Sequence, residues 1–169
     1  YRGKYLLSDG LARANEVLSR LAAQGLKAEV TGACRRLSEI IEQVEILVEG
    51  SDRVDEILRN ALGAPECELK GDTLELPAGA GAPPVAVRVV HPEDWAVRLL
   101  VTTGSDDHLA ALREHASRMQ VEIDGGVIRR GSKVRIEHEE DIYRLLDLQY
   151  LPPEVREGRV SAARIWVSW

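Results

Sequence analysis

The hydrophobic pattern changes character after Val90, and no other feature of the chain constrains its fold as strongly. Before that point, short apolar runs of strand length are interleaved with segments at helical spacing; after it, helical segments dominate. The expectation is an α+β chain in two parts, with the boundary between Val90 and Thr103. In the first part Leu11, Ala14, Val17, Leu18 and Leu21 predict a helix over LARANEVLSRLAAQ, capped by Ser8 or Asp9 and stopped at Gly25. LKAEVTG and VEILVEG predict two strands flanking a turn that holds Gly32, Arg35 and Arg36. Ser51 or Asp52 caps a helix over VDEILRNAL that Gly63 closes, and CELK and TLEL predict a hairpin about Gly71-Asp72. Ala78 to Pro84 reads as a flexible loop too short to link domains, and Val85 to Val90 as a strand of the same sheet with Arg88 projecting from it.

In the second part, Pro92 opens a helix over EDWAVRLLVTT, Gly104-Ser105 breaks it, and SDDHLAALREHASRMQ starts again from a good N-cap. Short strands are expected at VEIDG and at VIRRG or KVRIE, then a helix over EEDIYRLLDL, then extended chain at Pro152-Pro153. The acidic run from Glu137 to Asp141 reads as a capping cluster at that helix's N-terminus.

Composition narrows the function classes. With 44% hydrophobic and 30% charged residues, the 169-residue chain is expected to be a soluble globular protein, and no apolar run reaches the roughly 18 residues that cross a bilayer. The net charge of -6, from 22 Lys and Arg against 28 Asp and Glu, excludes a uniformly basic nucleic-acid-binding surface. With no Phe, the core must be built from Leu, Val, Ile and Ala, and a base-stacking platform is not expected. Cys34 and Cys67 fit neither a disulfide framework nor a paired zinc site, so a reducing cytoplasm is the expected location. Cys34 reads as a small buried hydrophobe. His91, His108, His115 and His138 are scattered, without a second ligand at metal spacing, and read as surface residues. Tyr1 in place of Met, with no signal-peptide core behind it, suggests a chain excised from something longer.

The segment Gly32-Ala33-Cys34-Arg35-Arg36-Leu37-Ser38-Glu39, followed by Val44-Glu45-Ile46-Leu47-Val48, resembles the Gly-Ser-x-Arg-Arg-x-x-Glu turn of family X DNA polymerases. In that family the turn leads into a strand carrying Asp-x-Asp. Val87-Arg88-Val89-Val90 resembles a later part of the family in the same order, as does Thr103-Gly104-Ser105 with Leu112-Arg113. Tyr143-Arg144-Leu145-Leu146 through Leu151-Pro152-Pro153-Glu154-Val155-Arg156-Glu157 is similar to the bacterial branch, whose polymerase is fused to a PHP-type metal-dependent phosphoesterase. The resemblance runs from Ser8 to Arg159.

It implies a nucleotidyltransferase-like palm, a mixed sheet with helices, over residues 1–95 and a small α/β thumb over 96–150. Residues 151–169 become a linker toward the absent phosphoesterase, against which Trp166 and Trp169 would pack, and the helix-hairpin-helix and fingers regions would precede Tyr1. In the family, three aspartates hold two magnesium ions; the matching positions here are Gln43, Glu45 and Ala86, so Glu45 is at most a single ligand. The triphosphate-holding serine is matched by Ala33, and two aromatic positions by Val101 and Thr102. Gly32, Arg36, Arg88, Gly104, Ser105 and Asp106 match nucleotide- or phosphate-binding positions, while Leu109 replaces an expected Asn. Arg113 matches a thumb arginine on the template side, and Arg129, Arg130 and Lys133 complete the expected DNA-binding set, which requires these cations to share a face with Arg36. Read apart from the resemblance, Arg35 and Arg36 make an ordinary solvated turn.

The resulting expectation is a polymerase-inactive palm and thumb fragment of a DNA repair protein, with weak DNA binding or a structural role and no cofactor. Its partners would be DNA, a nucleotide, and the flanking domains of the same protein. Two alternatives stay open: an active DNA polymerase or nucleotidyltransferase using magnesium, and a protein-interaction scaffold that binds no DNA.

Overall fold

The computed structural model describes residues 3–51 and 53–157, which fall into two compact units that divide after Pro92. Asp52, Arg159, Trp166 and Trp169 lie outside the described residues.

The first unit starts with β1 (Tyr5–Leu6) and α1 (Leu7–Ala23). The helix begins one turn earlier than its apolar spacing predicts, and neither Ser8 nor Asp9 caps it. Leu6 is held extended because β1 pairs with β3 (Ile40–Ile41), so the helix winds directly from the strand's end, with Asp9 in its first turn complementing the dipole. Gly25 ends the helix as expected, at φ +72°. β2 (Ala28–Thr31), β4 (Val44–Glu49), β6 (Val85–Val90) and β5 (Thr73–Leu76) make one four-stranded sheet in that spatial order. The central pair β4–β6 is parallel and the outer pairs are antiparallel.

Two elements between these strands depart from the sequence reading. The turn after β2 winds into α2 (Gly32–Arg35), a single helical turn. CELK makes no strand, because only the Lys70–Thr73 bridge closes around Gly71-Asp72. TLEL pairs instead with β6, where Leu74 and Leu76 bury beside Val87 and Val85, so Ala78 to Pro84 becomes the hairpin connection.

One face of the sheet is covered by helices. Ala14, Val17 and Leu21 of α1 and Leu58 of α3 (Val54–Ala61) pack with Val44, Ile46, Val48, Val85, Val87, Leu74 and Leu76. Since strand side chains alternate, Glu29, Thr31, Glu45, Ala86, Arg88, Thr73 and Glu75 belong to the opposite face.

The second unit has its own core. After a short helical turn at Pro92–Asp94 come α4 (Trp95–Thr103) and α5 (Asp106–Arg118), whose N-cap is Ser105 as expected. Both VIRRG and KVRIE contribute strands, giving a three-stranded antiparallel ladder of β7 (Glu122–Ile123), β8 (Ile128–Arg130) and β9 (Ser132–Val134). It is followed by α6 (Glu139–Leu145). Leu100, Leu112, Ile128, Ile142 and Leu146 are fully buried among these elements. The chain is extended at Pro152, as expected, but not beyond it. Pro153–Val155 forms a short helical turn, which the fixed φ of proline at its first position favours. Leu151 and Arg156 are buried in this second unit.

Candidate functional site

The β4–β6 register decides what the free face of the sheet carries. Glu45 pairs directly with Ala86, and across the whole sheet the row reads Thr31, Glu45, Ala86, Glu75. Gln43 is exposed just before β4, and Arg88 stands one alternation beyond Ala86 on the same face. Five of the residues singled out from sequence, Gly32, Gln43, Glu45, Ala86 and Arg88, are therefore gathered at one place in the first unit.

Gly32 is required by geometry. Its φ of +62° lies in the left-handed region, and a Cβ there would collide with the Glu45 carboxylate. The missing side chain lets that carboxylate rest over the backbone where α2 begins. On its other side Glu45 meets Arg88, Nη2 to Oε1 at 3.6 Å, with both side chains partly exposed. Arg36 is the half-buried C-cap of α2. Cys34 is buried as expected, and burial, reinforced by the nearby Glu45 charge, pushes its thiol up to about 11. It is no nucleophile at neutral pH.

These residues do not fit a pair of magnesium ions. Magnesium takes hard oxygen ligands in a tight octahedron at about 2.1 Å. Glu45 supplies the one carboxylate of the three positions, and it already faces a guanidinium. Glu75 lies in the same row but two strands away, about 10 Å at the usual strand spacing, so the two cannot close on one ion. Among the described residues no three His, Cys, Asp or Glu side chains form a metal-holding group.

The second unit disperses the remaining candidates. Ser105 is engaged within the fold: its hydroxyl donates to the Arg156 carbonyl at 2.6 Å and accepts from the His108 amide. Gly104 is buried, and Asp106 is exposed at the first turn of α5. Arg113 is exposed and its Nε donates to the Ile123 carbonyl at 3.3 Å. Arg129 and Lys133 face each other across β8 and β9, but Arg130 alternates to the other face of the ladder. Each of the paired cations has acids beside it. Lys133 lies 3.2 Å from Asp94 and 3.9 Å from Glu93, and Arg129 lies 3.9 Å from Asp124.

Sequence reasoning missed the most organised polar cluster. Arg156 is 0% exposed, and its Nη1 donates to Glu139, itself 5% exposed, at 2.8 Å. Its Nε donates to the Leu151 carbonyl at 2.8 Å, and the guanidinium lies over the rings of Tyr143 and Tyr150. His108 is buried rather than at the surface, its Nε2 2.7 Å from the Tyr143 hydroxyl. Burial, with Arg156 close by, lowers its pKa to about 4 against the opposing pull of Glu139. His115 is half-buried, with Nε2 at 2.8 Å from the Leu146 carbonyl, whereas His91 and His138 are exposed as expected. The acidic run splits accordingly. Asp141 and His138 form a capping box on α6, and Glu139 turns inward to Arg156. In the sequence Tyr143 and Arg156 stand only within the segment that carries the family resemblance, and no local spacing joins them to Glu139 and His108.

Residues 98–157, all within the second unit, match the family model described as DNA polymerase beta thumb. The match ends one residue after Arg156 and includes the whole buried cluster. No curated protein matches the chain. Among the described residues no helix is long and apolar enough to cross a membrane.

Proposed function

We propose that the chain is the palm and thumb of a bacterial, PHP-fused family X polymerase-like repair protein that no longer transfers nucleotides and retains a role in holding DNA. The observation that carries this reading is the register of Glu45 against Ala86, with the Glu45 carboxylate facing Arg88. Phosphoryl transfer depends almost wholly on positioning and on metal-borne charge stabilisation. A methyl group in one ligand position and an amide in another leave nothing to hold two cations against mutual repulsion. In their place, Arg88 gives this face a guanidinium group suited to a phosphate oxygen.

The test is primer extension on a gapped duplex with the protein in its full-length form, in magnesium and in manganese. No extension above a no-enzyme control is expected. Extension that vanishes in Glu45→Ala would instead assign an active nucleotidyltransferase with Glu45 as a metal ligand. The acids beside Arg129 and Lys133 favour a second reading, a scaffold that binds no DNA. Fluorescence anisotropy with a gapped duplex at low salt separates the two, because only the first predicts binding.

A further inference from the structure

The short ladder at the start of the first unit leaves an apolar face open. β1 and β3 pair Tyr5 with Ile41 and Leu6 with Ile40, and directly opposite residues of an antiparallel ladder share a face. Tyr5 and Ile41 turn inward, and Ile41 is 1% exposed in the core that holds Ala14, Val17 and Leu21 of α1. Leu6 and Ile40 therefore stand side by side on the outer face, 57% and 49% exposed. Leu37, three residues before Ile40 in the connection from α2, is 52% exposed. Among the described residues four large hydrophobic side chains are exposed, and three of them belong to this ladder or its lead-in. Leu37 also takes φ +59°, a left-handed backbone that a leucine adopts at a cost. Glycine or asparagine would sit there more cheaply and without presenting an apolar side chain to water.

Charge completes the pattern. Lys4 and Glu42 each continue the outer face by one alternation, and they stand at the same end of the ladder because Tyr5 pairs with Ile41. Both are exposed, and neither makes an ion pair among the described residues. Glu39, at the other end, alternates to the inner face. A face with a cation on one strand and an anion at the same end of the other is its own complement. A two-fold axis parallel to the strands lays β1 of one copy over β3 of a second, so that Leu6 meets Ile40, Lys4 meets Glu42, and each contact is made twice.

We propose that the chain pairs with a second copy of itself through the outer face of the β1–β3 ladder, in that two-fold arrangement. A uniformly basic partner would oppose Lys4 with like charge, and a uniformly acidic one would do the same to Glu42. The ladder is narrow, short of the roughly 800 Å² per partner that a standard interface buries, so the dimer belongs to the weak, transient class.

Sedimentation equilibrium of the 169-residue chain, from micromolar concentration to about 1 mM, tests the pairing. The weight-average mass should climb from monomer toward dimer and no further, because a two-fold contact closes on itself. Leu6→Glu and Ile40→Glu should each weaken association about tenfold or more, since each buries an unpaired carboxylate against apolar surface. The charged pair gives a signature that contacts within one copy cannot produce. Lys4→Glu and Glu42→Lys change exposed side chains and should leave the fold intact, yet each alone sets like charges against each other and should associate less than the parent. Mixed in equal amounts, the two variants place glutamates opposite lysines in both contacts, and they should associate roughly threefold more strongly than either does alone. A mass that stays monomeric to the top of the range, whatever other protein the face then captures, would overturn the proposal. So would growth beyond the dimer, association untouched by Leu6→Glu and Ile40→Glu, or a mixture that associates no better than its separate components.

Discussion

His108 shows how a single residue can be misread and what then follows from its real position. Spacing alone placed it at the surface, because nothing local reveals that α5 turns it toward Tyr143 and Arg156. Its folded pKa of about 4 lies below the ordinary 6.5, so between those values the unfolded chain binds more protons than the folded one. The stability this contributes is complete above pH 6.5 and is lost as pH falls through that window toward 4. By linkage the loss from neutral pH to about pH 5 is of order 2 kcal/mol. Urea unfolding across that range should show it, and His108→Gln should flatten the dependence. Glu139 and Arg156 allow a sharper test. Glu139→Ala strands a buried guanidinium and should cost about 3 kcal/mol or more, whereas the double variant Glu139→Leu with Arg156→Met should cost less than the single change. Equal costs would mean that lost packing, rather than the uncompensated charge, dominates.

At the level of elements, the strands with strong apolar runs were legible because their composition is decided by the face they bury: β2, β4 and β6 lie close to where LKAEVTG, VEILVEG and VAVRVV put them. What sequence could not supply is pairing made at a distance. The two-residue β1–β3 ladder, which resets the start of α1, depends on Ile40-Ile41 meeting Tyr5-Leu6. The partner of TLEL was likewise misjudged, since the adjacent CELK competed with the more apolar β6. The register of β4 on β6 itself is open to a direct test. Gln43→Asp, Glu45→Asp and Ala86→Asp together place three carboxylates at the end of one strand and on its neighbour, the hard oxygen set that a divalent ion needs. Calorimetry with manganese should detect binding by the triple variant and not by the parent. Equal heats from both proteins would contradict the assignment of these three positions. Nucleotide addition is not expected to return, because a restored ion site alone does not position a substrate.

Over the whole molecule, charge sets the terms on which DNA can be held. The chain carries -6 overall, and in the second unit the cations expected to meet DNA stand beside acids rather than in a bare patch. Any phosphate contact must displace those carboxylates as well as release counterions, so the gain per contact is small and falls quickly with added salt. Binding of a gapped duplex should therefore be weak, with a slope of log affinity on log salt of about -0.9 for each phosphate neutralised. Arg113 offers the cleanest residue-level check, because it is exposed and, among the described residues, its hydrogen bond is to the Ile123 carbonyl of its own unit. Arg113→Ala should lower the magnitude of that slope by about one and weaken binding similarly on different sequences, as loss of a backbone contact does. Asp94→Asn should act in the opposite direction, since it removes an acid beside Lys133 and leaves that cation to the phosphate. Anisotropy titrations from low to physiological salt measure both. An affinity indifferent to salt, or indifferent to both substitutions, would remove electrostatic contact by this unit as the basis of any DNA binding and leave the scaffold reading in its place.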